Sequence, residues 1–508
     1  MHHPQIALFS QILSSYECRQ DGTIQVNSGL LDDLVELIIK MPLEHENLGS
    51  RGFRRYPVRK YGCQEERQII VVRYELEMDH TYGVIFHAES ESTFRDYFAY
   101  LLLHTTSCSM MTLGTFSTPA SEEAAAAVTN TFECMLLYDV YEKKEWNRSG
   151  RNIFRKKVQC YTDRRMTIEM ALPAFPCKST NPEKVASQVP DGAEYEALLT
   201  LVKFCDEVTD FYAPGCRIVI VSDGHVFSDC IGADDNVVTH YSRNLKSMLD
   251  NVRFHHSRHA SQQIQLCNLA DLLFPDREAE RLYKRVEAVQ NLPIKHPVST
   301  QTDEFYNTCR GILMHGFAPP EPFVKDLISK VPDHSITTLY RGFSRFMLDD
   351  LALHSDIEGR SRPQRKKAAE TVALEMILRN QAYSRLVEMV LPNHIRLSIH
   401  AHNNAGPKFA VKLLPFKPIT NASELAISKE DALLEALEHL HIPTPWHTAL
   451  MVIHHDGRQE TIACKTSVAE AAIRSKKVFG MYQKNHVCGG RFVVVVPKTG
   501  RGWGTKCS

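Results

Sequence analysis

Apolar and polar positions along the chain change rhythm several times, and the clearest change lies at residues 217–241. Arg217–Val221 is a short β-branched run behind Pro214-Gly215, apolar on both faces, which predicts a buried parallel strand. Ser222, Asp223, Gly224, His225, Ser228 and Asp229 follow at once, so titratable groups crowd just past the carboxyl end of that strand. Ligands bind at such ends in open α/β sheets. A turn in which Ser222 and Asp223 cap backbone amides would give the same pattern.

Upstream, Leu30, Leu31, Leu34, Leu37 and Ile38 have helical spacing, and Gln68–Leu76 and Thr81–His87 predict strands about an Asp79-His80 turn. Helices are expected over Glu91–His104 and from Ser121 to about Asp139. A charged stretch, Glu142–Lys157, broken at Trp146–Gly150, sets a domain boundary near residue 150, leaving 1–150 as an α+β module and 151–508 as the main domain. There Met166–Leu172 predicts a strand and Glu194–Tyr212 a helix, which with Arg217–Val221 makes a right-handed β-α-β unit. Between them, Asn181 and Pro182 suit the N-cap and first position of a helix. That would place Lys178, Ser179 and Thr180 where amides face an anion, although a capped helix start needs no ligand.

From Tyr241 to about Leu391 the pattern is largely helical, interrupted by loops at Pro293–Thr302 and Phe317–Pro322. Strands return at Ile395–His400, Phe409–Leu414, Ala449–His454 and Arg491–Pro497, with Asp456-Gly457 as a hairpin turn. The fold class is therefore α/β, a Rossmann-like and mostly parallel sheet with flanking helices plus the N-terminal α+β module.

Composition narrows the function. Lys plus Arg at 59 against Asp plus Glu at 60 gives no basic excess for nucleic acid or an anionic membrane. Five basic residues between Arg51 and Lys60 could seat a phosphate or line a solvated loop. The first eighteen residues lack the plan of a secretory signal, and apolar runs fall short of a bilayer span, so the cytoplasm is expected. Fourteen cysteines without a CxxC pair read as reduced thiols.

The segments SDGHVFSD, FPCKSTNPEKV, YRGFSRF, IRLSIHAHNNAGPKFAVKLLP and TPWH together resemble the isocyanide synthase family, also called pyoverdine/dityrosine biosynthesis proteins, over about residues 150–508. The resemblance implies a Rossmann-like fold with no metal or organic cofactor. It implies a reaction in which the α-amine of an amino acid condenses with the C2 ketone of ribulose 5-phosphate and ends as an isocyanide. A downstream oxidase or oxygenase acting on that isocyanide is the implied partner. L-Tyrosine is the expected amino acid from the similarity to dityrosine enzymes, with valine next.

Such chemistry needs acids and bases of separated pKa. Asp223, His225, Asp229 and His400 are the catalytic candidates; Lys178, Ser179, Ser222, Arg341, Lys408 and His447 are the substrate-binding candidates. Rival roles stand beside them: Asp223 bracing a turn, Arg341 pairing across a helix interface, His447 packing behind Trp446, and Arg362–Lys367 as a lid or a solvated loop. Two other classes remain. A metal-dependent hydrolase would use His400 and His402 with Asp223, His225 and His447, and a non-catalytic relative would bind or regulate.

Overall fold

The structure is a computed structural model. It describes strand residues 17–18, 24–25, 59–61, 69–76 and 81–87, then 117–138, 144–259, 263–273, 292–414 and 444–496, the last two with short breaks. The helix expected over 91–104, His400 and His402 lie outside the described residues.

Near the N-terminus β1 (Glu17–Cys18) pairs antiparallel with β2 (Ile24–Gln25), and β3 (Arg59–Tyr61), β4 (Ile69–Leu76) and β5 (Thr81–His87) form an antiparallel sheet. Helix α1 (Pro119–Met135) begins in a capping box between Thr118 and Ser121. A π turn at Trp146–Gly150 leads into α2 (Arg151–Thr162). The packing does not break at the expected boundary near 150. Phe132 of α1 stacks on Phe154 of α2 at 4.2 Å, and Phe154 meets Phe409 at 5.0 Å, so α1 shares the core of the main sheet. Gly150 has to be glycine, because a Cβ there would lie 1.7 Å from the Asn404 carbonyl oxygen.

The main sheet contains β6 (Ile168–Pro173), β7 (Cys216–Val221), β8 (Ile264–Cys267), β9 (Ile395–Ser398) and β10 (Lys408–Ala410), in the order β10-β9-β6-β7-β8 and parallel throughout. The chain builds outward from β6 through β7 to β8, then returns to the other side of β6 for β9 and β10. That reversal makes the carboxyl ends of β6 and β9 the topological switch point. Between the strands run α3 (Gly192–Phe211), α4 (Gly224–Ile231), α5 (Asp235–His256), α6 (Leu269–Leu273), α7 (Glu304–Phe317), α8 (Glu321–Lys330), α9 (Ser335–Asp350) and α10 (Arg362–Val390).

The alternation along the strands separates two different faces. Ile168, Met170, Leu172, Ile218, Ile220, Ile395 and Leu397 enter one hydrophobic core with α1, α2, α3 and α5. The opposite face carries Glu169, Ala171, Arg217, Val219, Arg396 and Ser398, and α10 lies against it. A second sheet, β12-β11-β14-β13, comprises β11 (Ala449–His455), β12 (Arg458–Cys464), β13 (Phe479–Gln483) and β14 (Arg491–Val495), with α11 (Thr466–Arg474) between β12 and β13.

Three expectations change. Strand β8 lies inside the stretch read as helical, because four residues between helices leave too short a period to detect. No helix starts at Pro182. The Asn181 carboxamide accepts the Glu183 N–H at 2.9 Å, one turn closes, and the helix begins only after Asp191, which makes a capping box with Glu194. Arg362–Lys367 is the first turns of α10, capped by Ser361 and Gln364, not a loop.

Candidate active site

At the carboxyl end of β6 the chain makes a sharp turn in which Phe175 takes φ +59°, a left-handed conformation costly for a residue with a Cβ. Neighbours hold it there. The Ser222 hydroxyl donates to the Phe175 carbonyl at 2.9 Å, the Ala174 N–H reaches the Val221 carbonyl, and the Phe175 ring packs on Trp446. Ser222 is thus a brace between the ends of β6 and β7, and its own N–H donates to the Cys267 carbonyl at the end of β8.

Asp223 occupies the N-cap position of α4 but makes no side-chain cap hydrogen bond. The residue is half-buried, yet its Oδ1 is shut from solvent and has no hydrogen-bond partner. Burial therefore pushes its carboxyl up to about 7. Gly224 lets this happen: a Cβ there would lie 2.2 Å from the Pro176 carbonyl oxygen, so only glycine lets α4 start against the β6 turn. Tyr383 of α10 closes the site from above, its hydroxyl 3.1 Å from the Val221 and 3.2 Å from the Ser222 carbonyl oxygens. Burial and then the Asp223 charge hold this phenol well above its ordinary pKa, which makes it a fixed donor and not a base.

Farther along the same face, Arg396 of β9 is 6% exposed, and its Nε has no partner. Its Nη1 makes a long 3.4 Å contact with the Ser384 carbonyl and lies 3.8 Å from Glu388. Lys408 stands opposite Arg396 in the β9/β10 register and donates to the Ser384 hydroxyl at 2.6 Å, 3.6 Å from Glu388.

The other expected residues have different surroundings. Asp229 is fully buried between Arg379, His296 and Arg310; burial pushes its pKa up, but these partners outweigh it and hold the carboxyl well below the usual range. It remains a carboxylate and has no proton to exchange at neutral pH. His225 stacks on Tyr306 at 3.4 Å with Nε2 at 3.1 Å from the Thr239 hydroxyl, and burial brings it down to about 4. The ammonium of Lys178 is buried among Asp191 Oδ2 at 3.0 Å, Glu194 Oε2 at 2.8 Å and the Pro445 carbonyl at 2.9 Å, so its donors point inward. The Ser179 hydroxyl donates to Asp350 at 2.5 Å, and Lys184 bridges Asp349 and Asp350. His447 bonds the Thr444 hydroxyl at 2.9 Å and meets the Phe346 ring edge-on. Arg341 is exposed and donates to the Pro332 carbonyl; nine residues before Asp350 on α9, it lies about 13 Å along the helix from the Ser179 contact.

The structure brings together Ser222 and Asp223 at the end of β7, and sets Lys408 beside Arg396 three strands away on β10. It does not bring Lys178, Asp229 or Arg341 to them. Among the described residues no group of three His, Cys, Asp or Glu side chains is placed to hold a metal ion, and His225 is turned away toward Tyr306.

Residues 158–475 match the family described as pyoverdine/dityrosine biosynthesis protein. The chain belongs to that family. The spore wall maturation protein DIT1 of Saccharomyces cerevisiae is 35% identical over 415 residues, covering 81% of this chain and 75% of the yeast protein. An L-tyrosine isonitrile synthase of Xenorhabdus nematophila is 30% identical over 259 residues, covering 51% of this chain and 67% of that protein. The crystal structure of the PvcA protein from Pseudomonas aeruginosa shares the fold, with a TM-score of 0.54 at 24% identity over 74% of this chain and all of that one. In this pyoverdine/dityrosine family member the matched span runs from α2 to just past α11 and holds Asp223, Tyr383, Arg396 and Lys408. Tyr383 and Arg396 were missed in the sequence; an arginine inside the otherwise apolar run Ile395-Arg396-Leu397 was the available signal. Among the described residues no helix is long and apolar enough to cross a membrane.

Proposed function

We propose that this protein is an isocyanide synthase, converting the α-amine of an amino acid to an isocyanide with ribulose 5-phosphate as the carbon donor. Family membership supports the reaction class. Names of curated relatives, L-tyrosine isonitrile synthase among bacteria and a spore wall maturation protein in yeast, support an amino acid substrate and favour tyrosine over valine.

The observation that carries the reading is the Asp223 carboxyl, unpartnered at Oδ1, held at about 7, and placed at a strand end beside the switch point. Imine formation requires the amine to lose a proton and the carbinolamine hydroxyl to leave as water. A carboxyl divided between its two forms at neutral pH can take the first proton and return it to the second group. Asp229 and His225 cannot exchange protons so readily there, one held charged and the other neutral. Asp229 instead anchors α4 to α10 and α7, and so fixes the helix that begins at Asp223. Tyr383 holds the two carbonyls next to Asp223 and keeps the base from swinging away.

The test is incubation of purified protein with ribulose 5-phosphate and an amino-acid mixture, trapping isocyanides with a tetrazine and reading adduct masses. A tyrosine adduct is expected, and the Asp223→Asn protein should yield little or none. A valine adduct alone would replace the substrate, and no adduct from any amino acid would overturn the synthase reading. A downstream oxidase or oxygenase then takes the isocyanide.

A further inference from the structure

Arg396 is an anomaly in its own strand. A buried guanidinium has five N–H donors and is stable only when they are matched. Here Nε is shielded and unpartnered, Nη1 reaches only a carbonyl at 3.4 Å, and the Glu388 carboxylate is 3.8 Å away. Burial pulls its pKa below the ordinary arginine value, and Glu388 only partly offsets that. Like charges directly opposite each other destabilise a sheet, yet the cross-strand neighbour of Arg396 on β10 is Lys408. Two cations side by side, one of them incompletely bonded, are what an oxyanion receptor looks like before its ligand arrives.

We propose that Arg396 and Lys408 form the receptor for the phosphate group of the sugar substrate, between β9, β10 and α10. The identity of the sugar rests on the synthase reading above; the phosphate site itself does not.

Geometry selects phosphate over the amino acid carboxylate. Arg396 is level with Ala171 of β6, and Ala171 is level with Val219 of β7, four residues before Asp223. Two strand spacings across and four residues along separate the Arg396 and Asp223 backbones by roughly 16 Å. The guanidinium contacts the Ser384 carbonyl, one residue from Tyr383, whose hydroxyl reaches the carboxyl end of β7. Strand side chains stand roughly perpendicular to their sheet, so most of that separation persists between the two charged ends. An α-amine and its carboxylate lie about 3 Å apart and, with a hydrogen bond of about 3 Å at each end, span only about 9 Å. In a five-carbon ketose 5-phosphate, five bonds separate C2 from phosphorus, roughly 6 Å, and the phosphate oxygen with the same two hydrogen bonds extends the reach to roughly 13 Å. Asp223 can then serve C2 while Arg396, leaning toward it, and Lys408 hold the far end.

The test titrates inorganic phosphate, ribulose 5-phosphate and tyrosine separately, by thermal shift and calorimetry, into wild type, Arg396→Gln, Arg396→Lys and Lys408→Met. Expected are a phosphate and sugar-phosphate Kd raised tenfold or more in Arg396→Gln, a smaller rise in Arg396→Lys and Lys408→Met, and tyrosine binding within twofold of wild type. Should Arg396→Gln fail to fold, Lys408→Met decides, since that side chain is half-exposed and its loss leaves the core intact. Unchanged phosphate binding in the folded variants, or weakened tyrosine binding alone, overturns the proposal. Phosphate binding is read without turnover, so a failed synthase assay and a failed phosphate site are separate results.

Discussion

Replacing Asp223 by Asn should make the protein more stable and less active, and the stability gain should depend on pH. The carboxyl moves from its ordinary 3.8 to about 7 on folding, so between those values the folded state binds protons that the unfolded state has released. Stability of the wild type therefore falls as pH rises through that window and levels off above about 7. Asparagine has no such dependence. Between pH 5 and pH 8 the stability difference should widen in favour of Asp223→Asn by about 2–3 kcal/mol, at 1.36 kcal/mol per pKa unit. That is a ceiling, because the residue is half-buried and water near it screens the charge. The constant cost of burying an amide in place of the carboxyl cancels in the pH difference. Urea unfolding of both proteins at pH 5, 6, 7 and 8 measures it. Parallel curves with a fixed offset would show that the carboxyl ionises as freely as in the unfolded chain, and the acid–base role would lose its basis. The same variant should lose about 10²–10⁴-fold in kcat, the usual range for a general acid–base group.

Other side chains should separate by the same logic into structural and catalytic. Asp229→Ala removes the carboxylate that Arg379 and Arg310 share, leaving Arg379 only Glu375 and Arg310 only Asp235, and should cost about 3 kcal/mol in urea unfolding; an unchanged unfolding midpoint with lost turnover would instead make Asp229 a catalytic residue. Lys178→Met strands Asp191 and Glu194 and should cost a similar 3–5 kcal/mol, with sugar-phosphate affinity of the folded fraction unchanged. Gly224→Ala forces a Cβ against the Pro176 carbonyl and Val238 and should destabilise by about 1–3 kcal/mol, read as a lower melting temperature. Tyr383→Phe removes one hydroxyl contact to the Val221 and Ser222 carbonyls, costing about 1 kcal/mol in stability but slowing kcat more than it changes the KM of either substrate.

The sequence by itself determined the fold class and most strands of the main sheet, β8 excepted. Buried parallel strands reveal themselves as short runs apolar on both faces, and Arg217–Val221 and Ile395–Ser398 were legible within a residue or two. The turn chemistry at Asp456-Gly457 predicted the β11–β12 hairpin, where Gly457 takes φ +74°. The polar cluster after Val221 was also visible, and it led to Asp223. What those groups do was decided only by tertiary structure, because a pKa depends on neighbours that arrive from distant residues. Asp223 and Asp229 stand six positions apart in one cluster, yet one side chain is buried without a partner at Oδ1 and the other is clamped by arginines from α7 and α10. Lys178 looked like an anion ligand until α3 brought Asp191 and Glu194 to it. Arg396 and Lys408 are twelve residues apart along the chain and become neighbours only because β10 pairs in parallel with β9, a register that local periodicity does not encode.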